Sequence, residues 1–94
     1  MKKVMSEDGS YITIYLSDED GEPTLKAMQE AVGGYIEVVY AENGDQIILD
    51  EEGRLKDKDI NIVATEYWLG EDWDGVSNNI LGDVLILKGK ARLK

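Results

Sequence analysis

The hydrophobic and polar positions of this chain change period several times, and each change marks an element. Tyr11-Ile12-Thr13-Ile14-Tyr15-Leu16 is β-branched and aromatic, the composition of a strand. Lys3-Val4-Met5 reads as its short partner across the turn residues Glu7-Asp8-Gly9-Ser10. From Leu25 the period lengthens. Leu25, Met28, Ala31 and Val32 recur at helical spacing, with Lys26, Gln29 and Glu30 on the wet side. Thr24, after Pro23, is the expected N-cap because its hydroxyl can accept an orphan backbone N–H. Gly33 can enter the left-handed region and stop the helix. Gly34 then frees the chain to turn into Tyr35-Ile36-Glu37-Val38-Val39-Tyr40, a strand largely apolar on both faces, which predicts a central place in a sheet. Asn43-Gly44 is the preferred pair for a tight type I′ turn. Gln46-Ile47-Ile48-Leu49 is the return strand, closed by the turn Asp50-Glu51-Glu52-Gly53.

Ile60, Val63, Ala64, Tyr67 and Trp68 follow the i, i+3, i+4, i+7, i+8 stripe of a core-facing helix. Asp59 or Asn61 can cap its start and Gly70 can end it. Glu71 to Asn79 reads as a polar loop carrying one large aromatic, Trp73. Ile80 to Leu87 contains GDVLIL, a short buried strand. The order ββαββαβ predicts an α+β fold: one small domain over 1–94, with a mainly antiparallel sheet of four or five strands and two short helices. A chain of 94 residues suits a single core.

Charge narrows the functions. Twenty Asp and Glu against ten Lys and Arg leave a formal charge of −10. That argues against direct nucleic-acid binding, since phosphate backbones are strongly anionic. It favours solubility, cations, or the basic surface of another protein. The basic cluster Lys88, Lys90, Arg92 and Lys94 is expected to be a solvated, frayed tail over 88–94. With no Cys and no His, disulfides, thiolate nucleophiles, imidazole bases and nitrogen or sulfur metal sites are excluded. MKKVMSEDGS has no apolar h-region and does not read as a signal peptide. No run approaches the length of a membrane span, so the cytoplasm is the expected compartment.

Candidate chemistry is sparse. Asp18, Glu19, Asp20 and Glu22 could gather Ca²⁺ or Mg²⁺, but Pro23 and Thr24 do not continue a calcium-binding loop, and Asp72-x-Asp74-Gly75 fails in the same way. A solvated loop explains both, and no metal or cofactor is expected. Gly33-Gly34 follows a helix and precedes a strand, so it is a chain reversal rather than a phosphate cradle. Trp68 lies on the apolar stripe and is assigned to the core. Trp73 sits among Glu71, Asp72 and Asp74, where two readings stay open: an anchor for a partner with a basic rim, or a cover for the open end of a small core. Tyr11, Thr13 and Tyr15 share a strand face, an arrangement that ordinary cross-strand packing explains.

The run Val32-Gly33-Gly34-Tyr35-Ile36-Glu37-Val38-Val39 has a further meaning. With Leu25-x-Ala27-Met28-Gln29 before it, Glu51-Glu52-Gly53-Arg54-Leu55 after it, Asn61 with Ala64, and Gly82 to Ile86, the chain resembles the family catalogued as domain of unknown function 3846. Members of that family often carry proline just before the Asn, where this chain has Lys58-Asp59-Ile60, and the stretch Glu71 to Asn79 is individual to it. The resemblance implies a small intracellular accessory protein of the kind found in bacterial mobile elements and phages, with an α+β fold. It supplies no catalytic residue.

The expectation is therefore a non-enzymatic binding module that meets a protein partner through Asp18, Glu19, Asp20, Asp72, Trp73 and Asp74. One form is an acidic inhibitor of a host nucleic-acid-binding protein. The alternative is a protein that sequesters a small molecule or nucleotide in a pocket between helix and sheet, lined by Arg54, Asn61 and Thr65. Gly33, Gly34, Asn43 and Gly44 are expected to serve as turn residues.

Overall fold

All four residues of Val84–Leu87 are buried, and the sheet is arranged around that strand. The computed structural model describes residues 1–73 and 79–94. Along the chain run β1 (Lys2–Met5), β2 (Ile12–Leu16), α1 (Leu25–Val32), β3 (Ile36–Tyr40), β4 (Gln46–Asp50), α2 (Ile62–Leu69) and β5 (Val84–Leu87), the predicted order ββαββαβ. They form one five-stranded sheet in the order β1-β2-β5-β4-β3. The sheet is mixed: β2 and β5 run parallel, and the other three pairings are antiparallel.

The helices lie on opposite faces. A helix is about 10 Å wide and strands lie about 4.8 Å apart, so one helix covers roughly two strands. α1 sets Met28 and Val32 against Ile48, Leu85 and Leu87. α2 sets Ala64 against Ile47, Val84 and Ile86. Successive side chains point to opposite faces, so β4 and β5 feed both cores at once.

β3, expected at the centre of the sheet, instead forms an edge. Its apolar residues still point both ways, Ile36 and Val38 towards α1 and Val39 towards α2. They meet only the flanks of the helices, and Tyr35 and Tyr40 at its ends stay 67% and 62% exposed. Continuous apolar composition therefore marks contact with both layers rather than central position.

Local chemistry sets the helix ends. Thr24 Oγ1 accepts from the Ala27 N–H at 3.1 Å, and Gly33 stops α1 with φ 85°. Leu25, the first residue of the predicted stripe, is left exposed. Asn61 caps α2 by accepting from the Ala64 N–H at 3.0 Å. Ile60, expected on the helix, lies before it in a bridge to Leu81.

Two expectations are corrected by backbone geometry. A type I′ turn needs positive φ at both central residues, yet Asp57 is the only non-glycine with positive φ among the described residues. The β3–β4 connection is instead a three-residue loop, Glu42-Asn43-Gly44. Gly44 has φ 91° and donates to the Ala41 carbonyl, while the Ala41 N–H donates to the Asp45 carbonyl. Asn43 contributes its side chain, accepting from the Asp45 N–H at 3.0 Å. The C-terminal segment, expected to fray, docks. Ala91 is fully buried against the α1 core. The Gln46 amide grips Leu93, accepting from its N–H at 2.6 Å and donating to its carbonyl at 3.1 Å. Gln46→Ala removes both bonds. The expected result is a loss of about 1–2 kcal/mol and faster amide exchange across residues 91–94, read by urea unfolding and hydrogen exchange.

Candidate functional site

The turns at Gly33-Gly34, Asp50 to Gly53 and Gly82 meet around a buried carboxylate. Asp50 ends β4 with only 3% of its surface exposed. Its Oδ2 accepts from the ammonium groups of Lys56 and Lys58, both at 2.9 Å, and its Oδ1 accepts from the Glu52 N–H at 2.8 Å. The same lysines donate to the Gly33 and Val32 carbonyls at 3.0 and 2.8 Å. Those carbonyls lie at the C-terminal end of α1, where cations are favoured. Burial opposes the charged carboxylate. The hydrogen bonds from Lys56 and Lys58, with that from Glu52, outweigh it and hold its pKa at about 2. The Gly33-Gly34 pair thus has a tertiary reason as well as a local one. A Cβ at Gly34 would lie 2.5 Å from Lys56 Nζ and 3.0 Å from Asp50 Oδ1. One at Gly82 would lie 2.7 Å from Lys58 Cδ. Both carboxylate oxygens and both ammonium groups are engaged, so the cluster is a fastening between α1 and the loop after β4.

The residues expected to line a pocket are not brought together. Asn61 and Thr65 are closed inside the core, at 1% and 0% exposure. Asn61 Nδ2 donates to the Gly82 carbonyl and to Thr13 Oγ1 at 2.9 and 3.0 Å. Thr65 Oγ1 donates to the Asn61 carbonyl at 2.8 Å and accepts from the Ile80 N–H at 2.9 Å. They join β2, α2 and the entry to β5. Arg54 lies outside on the surface, its guanidinium 3.4 Å from the Asn79 carbonyl.

The acidic candidates divide into two places. Asp18 Oδ1 accepts from the Lys90 N–H at 2.7 Å, and Asp20 Oδ2 accepts from the Ser17 N–H at 2.9 Å. Both carboxylates therefore shape the turn after β2 and its contact with the C-terminal segment, with Glu19 exposed between them. Asp72 closes a 3₁₀ turn, Gly70–Asp72, that follows α2. Trp73 is half-buried, and its indole N–H donates to Asn79 Oδ1 at 2.9 Å. Asp74 lies outside the described residues.

Asp72 belongs to a cleft of about 510 Å³ between the β3–β4 loop and the end of α2. Tyr67 and Trp68 supply aromatic surface there, and Glu42, Glu71 and Asp72 are its exposed acids. No lysine or arginine among the described residues lines it. The Tyr67 hydroxyl donates a short hydrogen bond to Asp45, a buried carboxylate next to the loop. The ring is thereby held in place. The C-terminal carbonyl end of α2 adds a partial negative charge. Of these residues, Asp72 alone stands out in the sequence as a partner contact. Helical periodicity assigns Trp68 wholly to the core, because a period does not show where the sheet beneath a helix ends.

No curated protein and no solved structure matches this chain. The model of the family described as a domain of unknown function, DUF3846, matches residues 1–92, and the chain belongs to that family.

Proposed function

We propose that this protein is a binding module without catalysis of its own, and that the cleft beside α2 receives a basic side chain of a protein partner. One observation carries the reading: three exposed carboxylates, Glu42, Glu71 and Asp72, surround the aromatic surface of Tyr67 and Trp68 in a cleft that no cation among the described residues lines. A guanidinium or ammonium entering there meets carboxylates at the rim and aromatic faces within, both attractive to a cation. The formal charge of −10 speeds the approach of a basic partner. A cytoplasmic protein that handles nucleic acid, basic for that purpose, is one class of partner that fits. The acidic-inhibitor reading is that form of the proposal. The alternative pocket around Arg54, Asn61 and Thr65 is not carried forward, because the latter two side chains are already committed to the core.

An arginine-rich peptide titrated into the labelled protein and followed by NMR tests the cleft. Saturable shifts at the Trp68 indole are expected. Glu71→Gln with Asp72→Asn should weaken binding about tenfold, while Glu22→Gln with Glu30→Gln, elsewhere on the surface, should leave it nearly unchanged. Equal weakening by the two pairs would reduce the attraction to overall charge and end the proposal.

A further inference from the structure

A second cleft, about 470 Å³, opens on the other side of Tyr67, and its character is opposite. One helix per face cannot cover five strands. α2 lies over β4 and β5, so the β1–β2 side of that face is left as a shelf beside it. Strand register decides what stands on the shelf. Lys2 of β1 is directly opposite Tyr15 of β2, so the two side chains share a face. Lys88, next after β5, is held by its N–H donating to the Leu16 carbonyl at 2.9 Å. It falls on the same face as Ile86, two residues before it.

The result is a ring-and-cation site. Tyr15 and Tyr67 meet edge to face with centroids 5.7 Å apart. Lys88 Nζ lies 5.5 Å from the Tyr67 centroid and 6.0 Å from that of Tyr15, and Lys2 Nζ lies 5.8 Å from Tyr15. Ser17 adds a hydroxyl to the lining. Lys88 makes a long ion pair with Asp45, at 3.8 Å, whose carboxylate also accepts from the Tyr67 hydroxyl. Lys2 has no ion pair among the described residues. The pKa of Lys88 is raised, by interaction with the Tyr67 hydroxyl first and with Asp45 and Tyr15 after it.

We infer that this cleft binds a small phosphate monoester carrying a flat ring: the phosphate draws the Lys2 and Lys88 ammonium groups, which otherwise lie over Tyr15, to itself, and the ring takes their place against Tyr15. Two ammonium groups facing one cleft of an otherwise acidic protein select an anion, and they exclude the cationic guest proposed for the neighbouring cleft. The volume suits a mononucleotide-sized ligand, within the usual range of small-molecule sites. Phosphate alone would meet the cations but forgo the aromatic wall, which contributes through stacking.

Calorimetric titration with adenosine monophosphate, and separately with inorganic phosphate, tests the assignment. Saturable binding of the nucleotide is expected, about tenfold or more tighter than phosphate. Lys88→Gln should weaken the nucleotide about tenfold, and Lys26→Gln on α1 should not. Tyr15→Leu should bring the nucleotide down to the affinity of phosphate, and circular dichroism checks that each variant is folded. Absence of saturable nucleotide binding to the wild-type chain overturns the inference, as does equal affinity for the two probes. So does equal weakening by Lys88→Gln and Lys26→Gln.

Discussion

Asn61→Ala is expected to lower the unfolding free energy by about 3–4 kcal/mol. An N-cap removed from a helix costs about 1 kcal/mol. Here the same side chain also satisfies the Gly82 carbonyl and Thr13 Oγ1 inside the core. Each buried polar group left without a partner costs roughly 1–3 kcal/mol more. A small domain with a total stability of about 5–15 kcal/mol loses a large share of it, and thermal or urea unfolding will show the shift. Asn61→Asp separates the two roles. It keeps an oxygen for the Ala64 N–H but turns a lone pair towards the Gly82 carbonyl where a donor had been. Loss close to that of alanine would place the cost in the buried network. Near-wild-type stability would leave only the cap. A loss below about 1 kcal/mol for alanine would remove both explanations.

The second large effect belongs to Asp50, and it depends on pH. The folded-state pKa of about 2 lies below the ordinary value of 3.8, so the unfolded chain takes up the proton first as pH falls. The contribution is therefore complete above about pH 4 and lost as pH drops through about 2. The displacement corresponds to about 2 kcal/mol. Asp50→Asn should cost about that much at pH 7 and almost nothing near pH 2. Other carboxylates titrate in the same window, so the informative quantity is the difference between wild type and variant, followed by urea unfolding from pH 7 to pH 2. A difference that stays constant across the range would mean that the lysines contribute packing and not charge.

Elements governed by neighbours in the chain are legible in the sequence alone. Thr24, Gly33 and Asn61 act within a turn or two of helix, and the strand composition of residues 11–16 and 84–87 follows their burial directly. The departures share a different character. Two apolar faces suggest a central place for the Tyr35 to Tyr40 run, but position in a sheet depends on which strands the helices cover. The type I′ expectation considers Asn43-Gly44 alone. The observed loop starts at Glu42, and Asn43 commits its side chain to Asp45 instead of adopting positive φ. The C-terminal segment reads as a solvated tail because four of its seven residues are basic. Ala91 and Leu93 between those charges hold it down. Asn61 and Thr65 are polar residues with the spacing to line a pocket, yet the core uses their hydrogen bonds and leaves none for a ligand.

Taken by itself, the chain determined the order of elements, the α1 caps Thr24 and Gly33, the strand character of Gln46 to Leu49 and of the GDVLIL run, and the family to which it belongs. These follow from short-range hydrogen bonding and from the period of hydrophobic residues, which are local quantities. Only the tertiary structure decided that Asp50 would gather Lys56, Lys58 and the end of α1, and that Tyr67 would divide an acidic cleft from a basic one. Those outcomes depend on strand register and on the finite width of one helix against five strands. Such distances in space are not encoded in any single stretch of residues.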